Sequence, residues 1–307
     1  MISVKDLHYL VVLSQTGHYG KAAAICHVSQ PTLSGQIKKL EQRLGARLVE
    51  ASKPKLLLTP LGEQVVAKAK PVLAQVADIE SLATQHQDPY SGKLTLALIP
   101  SVAAYILPFL TQQVRSQLPN LRIELVELQT HKLLQQLQAG TVDAGLLALP
   151  KPQPGLRSLN MWVEEFVLAL PVQHEWVGRQ HVDSQEIVHQ RLLILEDGHC
   201  LADQTKRLCG LSDGNKQFKG TSLETLRHMV RMGYGVTLVP KLTQLLWQEQ
   251  GEAGIVFIPI NNPVPGRQLG IMGRTGGAHW PVIERLNRLV QAALPQPAEA
   301  ATVIGFD

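Results

Sequence analysis

The sequence predicts an α/β protein with an all-α, winged-helix N-terminal domain, a long linker helix and a larger two-part α/β domain. Three observations carry this expectation. Two short helical segments, a tight turn and a third amphipathic helix fill the first 45 residues, the order of a helix-turn-helix. An apolar seam at steps of 4 and 3 then runs from about Thr59 to about Gln87. After Gly92, strand and helix patterns alternate, as in sheets covered by helices.

The first helix spans about residues 4–15, with Leu7, Leu10, Val11 and Ser14 on one face. A break at Thr16-Gly17 precedes a short Ala-rich helix, Lys21 to Cys26. His27-Val28-Ser29 reads as the turn. Ser29 is a good N-cap, and Pro31 suits a first helical turn, where its missing N–H leaves nothing unpaired. Leu33, Ile37, Leu40 and Leu44 define the buried face of the third helix, and Gly45 ends it. Residues 47–58 alternate enough for a hairpin around Ser52-Lys53-Pro54-Lys55.

The long helix places Val65, Ala69, Val72, Val76, Ile79 and Ala83 on a seam suited to pairing with a second copy; Pro71 should kink or split it. Asp88-Pro89-Tyr90-Ser91-Gly92 reads as a linker. Strands follow at Leu94–Ile99, Ile123–Leu128, Ala144–Leu149, Phe166–Pro171, Leu192–Leu195 and Val236–Val239. Helices are expected at Tyr105–Leu118, Lys132–Ala139 and Leu223–Met232. Such β-α repeats imply largely parallel sheets, and about 215 residues is enough for two sub-domains. The residues after Leu294 read as a frayed tail.

Charge separates the two portions. Residues 1–58 carry eight Lys and Arg against three Asp and Glu; the remainder carries 21 against 22. A basic head on a near-neutral body suits contact with a polyanion. The third helix leaves Gln30, Thr32, Ser34, Gln36, Lys38 and Lys39 outside; Gln and Thr can read base edges, and Lys neutralises phosphate. Gly35 lets backbone approach DNA, and Lys53 and Lys55 in the hairpin can touch flanking phosphate. No apolar run approaches the ~20 residues of a membrane span. The start lacks the basic-then-apolar pattern of a signal peptide, so a cytoplasmic protein without a membrane partner is expected.

Cys26, Cys200 and Cys209 are too few and too odd in number for a secreted disulfide scaffold. Cys26 reads as core. Cys200 and Cys209 flank a segment without Pro or Gly. If that segment is helical, nine residues separate the sulfurs by about 13.5 Å of rise on opposite faces. A disulfide needs Cα atoms within about 7 Å, so helix and bond exclude each other. His199 and the Asp197-Gly198 turn offer polar groups beside Cys200, and Asp203 shares its helical turn. The set His199, Cys200 and Cys209 lacks the paired spacing of a structural zinc site; no phosphate loop stands out, and no cofactor is expected.

The run Ala22-Ala23, Val28-Ser29-Gln30-Pro31-Thr32-Leu33-Ser34, Ile37, Leu40-Glu41, Leu44-Gly45 and Leu48 resembles the signature of LysR-type regulators. Gly233-Tyr234-Gly235-Val236-Thr237-Leu238-Val239-Pro240 is similar to a late glycine-containing segment of that family. Ala51 and Pro54 depart from it, standing in the wing where many members carry Arg. The resemblance implies a winged helix-turn-helix in residues 1–58, a dimerising linker helix in 59–88 and a regulatory domain in 89–307. That domain would resemble a periplasmic binding protein, with one lobe from about 90–163 and 269–307 and the other from about 164–268. It also implies an activator on double-stranded promoter DNA, Ser29 and Pro31 among its contacts, acting as a homodimer or homotetramer with RNA polymerase.

A second block resembles the peroxide-sensing branch of the family: Ile99-Pro100-Ser101-Val102, Gln129-Thr130-His131, Leu195-Glu196-Asp197-Gly198-His199-Cys200, Thr221-Ser222-Leu223-Glu224-Thr225-Leu226-Arg227 and Gly266-Arg267. By that resemblance Cys200 is the peroxidatic residue and Cys209 the resolving one. Ser101, in place of the family's usual Thr, and Thr130 supply hydroxyls, and Arg267 is a cationic donor. Ala202 stands at a commonly basic position. Hydrogen peroxide is then the signal, a cellular disulfide reductant resets it, and the protein is not an enzyme. Two rivals are a LysR-type regulator that binds a small organic effector between its lobes, and a thiol peroxidase or disulfide reductase.

Overall fold

The computed structural model describes residues 1–50, 56–86, 88–210, 218–294 and 302–303. The chain divides into two compact units, one built on Met1–Ala83 and the other on most of Thr84–Asp307.

The first unit opens with α1 (Val4–Thr16), α2 (Tyr19–Ile25) and α3 (Gln30–Leu44). Local chemistry sets each boundary. Ser3 and Asp6 form a capping box before α1, and Gly17 ends it at φ +60°. His18 caps α2 two residues earlier than expected, its Nδ1 accepting from Gly20 and Lys21 N–H. His27 takes the turn at φ +53°, and the Ser29 hydroxyl accepts the Thr32 N–H ahead of α3. Leu10, Leu13, Leu33, Ile37 and Leu40 are buried in the shared core. Leu44, expected among them, is 37% exposed because the last turn of α3 outruns the core. The Asp6 carboxylate accepts from Arg43, tying α1 to α3.

The hairpin strands are β1 (Val49–Glu50) and β2 (Leu57–Leu58), antiparallel; its tip, with Lys53, Pro54 and Lys55, lies outside the described residues. Helix α4 (Pro60–Gln85) is a single helix. Pro71 does not split it, since Pro71 and Ala67, whose carbonyl loses its partner, are both on the exposed side. The expected seam divides along its length. Val66, Ala69 and Val65 pack on the head's own core, whereas Val72, Ile79 and Leu82 are exposed.

In the second unit β3 (Gly92–Leu98) takes up Gly92 from the expected linker, and α5 (Pro100–Gln117) starts five residues before the expected Tyr105 because Pro100 occupies the first turn. Next come β4 (Leu121–Glu127), α6 (Thr130–Ala139), β5 (Ala144–Ala148) and the 16-residue β6 (Leu156–Pro171). They are followed by β7 (Val182–Asp183), α7 (Ser184–Ile187), β8 (Leu193–Leu195), α8 (Cys200–Leu208), β9 (Phe218–Gly220) and α9 (Leu223–Arg231). The order closes with β10 (Thr237–Pro240), α10 (Lys241–Glu249), β11 (Ile255–Asn261), β12 (Pro265–Arg274), α11 (Trp280–Ala293) and β13 (Thr302–Val303). The sequence patterns do not mark β7, α7, β9, α10, β11, β12 or α11, and β13, paired with β12, falls in the stretch expected as a frayed tail.

The sheets are mixed rather than largely parallel. β3 pairs in parallel with β4 and β5, but β12 is antiparallel to β5 and β6, and β10 and β11 are antiparallel to β6. The long β6 explains this: its first part runs beside β12 and its last residues beside β10 and β11. Two apolar cores form along it. One gathers Leu96, Leu98, Ile106, Leu146, Leu269 and Leu286; the other gathers Phe166, Leu168, Leu193, Val230, Val239 and Ile258.

Candidate functional site

Two sites emerge, one in each unit. In the head, α3 presents Gln30, Pro31, Thr32, Lys38 and Lys39 exposed, with Ser29 exposed just ahead and Ser34 and Gln36 half-buried. Ser29 is engaged as the cap, its hydroxyl 2.7 Å from that of Thr32. A Cβ on Gly35 would meet nothing within 4 Å, so backbone is open to a close neighbour there. Gly62 keeps α4 against the head, because a Cβ there would sit 2.1 Å from the Leu48 carbonyl oxygen. α3 thus carries an exposed polar stripe between its Ser29 and Gly45 caps, with side chains of the types that read base edges and neutralise phosphate.

The second site surrounds Cys200, the first residue of α8. Gly198 turns the chain at φ +95°, where a Cβ would press on the Gln129 amide at 3.0 Å, and His199 takes the N-cap position. The sulfur therefore lies at a helix N-terminus, where the dipole favours negative charge. The Ser101 hydroxyl, in the first turn of α5, is 3.9 Å from Sγ, and so is Nη1 of Arg267 on β12. The same Nη1 donates to Ser101 Oγ at 2.7 Å, and Nη2 donates to the Ser101 carbonyl at 3.0 Å.

Arg267 is fully buried, and its charge is met by two residues that sequence reasoning missed. Glu164 is its cross-strand partner on β6 and accepts from Nε at 2.8 Å and Nη2 at 2.7 Å. Tyr105 accepts from Nη2 at 2.8 Å and donates to Glu164 at 2.9 Å. The signal for Glu164 is a pair of carboxylates, Glu164 and Glu165, inside an otherwise apolar strand run, Trp162-Val163-Glu164-Glu165-Phe166-Val167; no local signal marks Tyr105. A buried charge demands a buried partner. Burial raises the Glu164 and Tyr105 proton affinities. It works against the Arg267 charge too, but Tyr105, Glu164 and Cys200 outweigh it, so the guanidinium stays charged.

The remaining expected residues fall differently. His199 is buried, which lowers its pKa against the pull of Glu196 and Glu127 and keeps the ring neutral near pH 7. Asp203 joins the first turn of α8. Thr130 opens α6 and is not brought to the sulfur by any hydrogen bond: its buried hydroxyl has no partner among the described residues. Cys209 caps the far end of α8, its N–H donating to the Thr205 carbonyl. Burial pushes its thiol up to about 12. All three cysteines are free thiols. Cys200 belongs to the first apolar core of this unit and Cys209 to the second. A cavity of about 240 Å³ adjoins Ser101 and His199, lined also by Glu127, Ser222, Glu224 and Trp247. Among the described residues no cluster of His, Cys, Asp and Glu could hold a metal, and no helix is long and apolar enough to cross a membrane.

Comparison with known proteins agrees with both halves of this description. Residues 4–63 match the bacterial regulatory helix-turn-helix protein, lysR family, and residues 87–295 match the LysR substrate binding domain. The DNA-binding transcriptional dual regulator OxyR of Escherichia coli is 40% identical over 293 residues, 95% of this chain and 94% of that one. A hydrogen peroxide-inducible genes activator of Haemophilus influenzae is 36% identical over 293 residues, 95% and 96% of the two chains. Full-length OxyR from Pseudomonas aeruginosa superimposes with a TM-score of 0.80 at 33% identity, covering 95% of each chain.

Proposed function

This chain belongs to the LysR family of helix-turn-helix regulators, and from that premise we propose that it senses hydrogen peroxide through Cys200 and reports it to promoter DNA. One observation carries the reading: the two cysteines stand at opposite ends of a single helix, and the sulfur of one faces a buried guanidinium and a hydroxyl. The Cys200 thiolate attacks one peroxide oxygen, the O–O bond breaks, and the departing hydroxide takes up a proton, leaving a sulfenic acid and water. Arg267 and Ser101 are the donors available to the peroxide oxygens.

The second step joins Cys200 to Cys209 and releases a second water. It cannot occur on intact α8, whose nine-residue rise of about 13.5 Å far exceeds disulfide reach. Cys209, its thiol held protonated by burial, becomes a nucleophile only when the helix opens. The bond then excludes the reduced backbone, which supplies the differential energy an allosteric switch needs.

Residues 1–58 are read as the DNA-binding domain, with Ser29, Gln30, Pro31, Thr32, Ser34, Gln36, Lys38, Lys39, Lys53 and Lys55 at the DNA. Residues 59–88 are the dimerising helix, whose exposed Val72, Ile79 and Leu82 support pairing with a second copy. The regulatory domain, 89–307, completes a dimer or tetramer that works with RNA polymerase and is reset by a cellular disulfide reductant. The cavity beside Ser101 supports a second reading, a small effector bound there; about 240 Å³ lies below the ~300–1,000 Å³ usual for ligand sites.

The test is to treat the purified protein with one equivalent of peroxide, map thiols by mass spectrometry and footprint promoter DNA before and after. A Cys200–Cys209 link with an altered footprint is expected. Absence of the link, or the same footprint in both states, overturns the proposal, and a ligand-dependent footprint in Cys200→Ser supports the effector reading.

A further inference from the structure

The cluster behind Cys200 contains one buried cation and one buried anion. Arg267, Glu164, Tyr105, Ser101 and Cys200 are each 4% exposed or less. The ladder between β6 and β12 sets Glu164 directly opposite Arg267, so their contact is fixed by backbone register. Glu164 takes Nε and Nη2 of the guanidinium, leaving Nη1 aimed at Ser101 and the sulfur. The Leu242 N–H at 3.3 Å and the Tyr105 hydroxyl hold the carboxylate in place.

With Cys200 as a thiol the cluster is neutral overall. Ionising the sulfur while Glu164 remains ionised leaves a net negative charge in a buried site, which is disfavoured. We infer that Glu164 is a positioning residue that fixes Arg267 against Cys200 and, by cancelling its charge, sets how much of Cys200 is thiolate in the resting protein. The net charge is preserved when the proton leaving Cys200 is balanced by one taken up on Glu164. The burial that raises the proton affinity of Glu164 favours that exchange. The other groups near the sulfur are neutral His199, with Glu196 and Glu127 acting on it, Asp203 in the same helical turn and the N-terminus of α8. All of these stay constant when residue 164 changes.

The inference rests on Cys200 being the reacting sulfur, but its test does not use peroxide. In the reduced full-length protein, residue-resolved mass spectrometry follows alkylation of Cys200 as a function of pH. E164Q keeps the size of the side chain and removes the charge. The midpoint of its profile falls by at least one pH unit, a tenfold or greater gain in thiolate at a given pH. A smaller fall, no change or a rise overturns the inference.

Because E164Q leaves Arg267 without its anion, E164Q/R267M is the second variant, removing both charges together. Its midpoint stays less than one unit above that of the unaltered chain, since cation and anion offset each other. A rise of one unit or more means that Glu164 does not cancel the guanidinium, and overturns the inference even if E164Q fails to fold. Failure of peroxide to link the two cysteines leaves these midpoints unaffected, so the two readings fail separately.

Discussion

Gln204 offers a way to tilt the balance between the helical and bonded forms of the 200–209 segment. It lies on α8 four residues after Cys200, is 1% exposed, and neither its amide nitrogen nor its amide oxygen has a hydrogen-bond partner among the described residues. A buried amide left unpaired costs about 1–3 kcal/mol. That penalty burdens the helical, reduced form and is relieved when unwinding exposes residue 204 to water. Gln204→Met retains an unbranched side chain of similar length and removes the polar atoms, so it stabilises the reduced form by that amount. For a two-electron couple about 30 mV corresponds to 1.4 kcal/mol. The midpoint potential therefore rises by ~20–65 mV, making the protein harder to oxidise. Equilibration in glutathione buffers followed by alkylation and mass spectrometry reads the potential, and calorimetry of the reduced form reads the parallel gain in stability. An unchanged or lower potential, together with an unchanged melting temperature, refutes the reasoning.

Three further outcomes are expected. Lys38→Ala and Lys39→Ala each weaken DNA binding across sequences and reduce the slope of log affinity against log salt by about 1, measured by fluorescence anisotropy at several salt concentrations. Gly62→Ala forces a Cβ onto the Leu48 carbonyl and destabilises the head by about 1–3 kcal/mol, read as a lower denaturation midpoint of the first unit. His199 has a pKa below its unfolded value, so the unfolded chain binds more protons as pH falls past about 6.5. Stability of the regulatory unit is then full above that pH and declines below it. His199→Gln removes that decline, as urea titrations between pH 5 and 8 will show.

What could be read from the sequence was what neighbouring residues decide among themselves. Ser29, Pro31 and Gly45 bound α3 through caps and turns made within a few positions, and the helical spacing of Leu33, Ile37 and Leu40 matched their burial. The early start of α5 was also local, signalled by Pro100 after an extended Ile99, yet it was masked by the apolar strand run before it. The length of β6 was not legible, because its first half, Leu156-Arg157-Ser158-Leu159-Asn160-Met161-Trp162-Val163, breaks the apolar/polar alternation of a half-buried strand and is held by β12 about a hundred positions later. Glu164 and Tyr105 acquire a role only when that pairing brings Arg267 opposite, 103 residues from Glu164. The sulfurs, Ser101 and Arg267 stood out because of the company they keep in sequence, whereas the counter-charge that tunes them had no neighbouring motif.

The placement of the two sulfurs in separate apolar cores has a consequence for how oxidation is remembered. Neither thiol can reach the other without at least one leaving its pocket, so a bond between them evacuates a site that was filled. The neighbours of the departing residue must then close in or admit water. Interiors tolerate such vacancies poorly. Under the proposed mechanism the oxidised molecule carries its history as a repacked interior as well as a covalent link, and cutting the link restores the original state only as fast as that interior can refill.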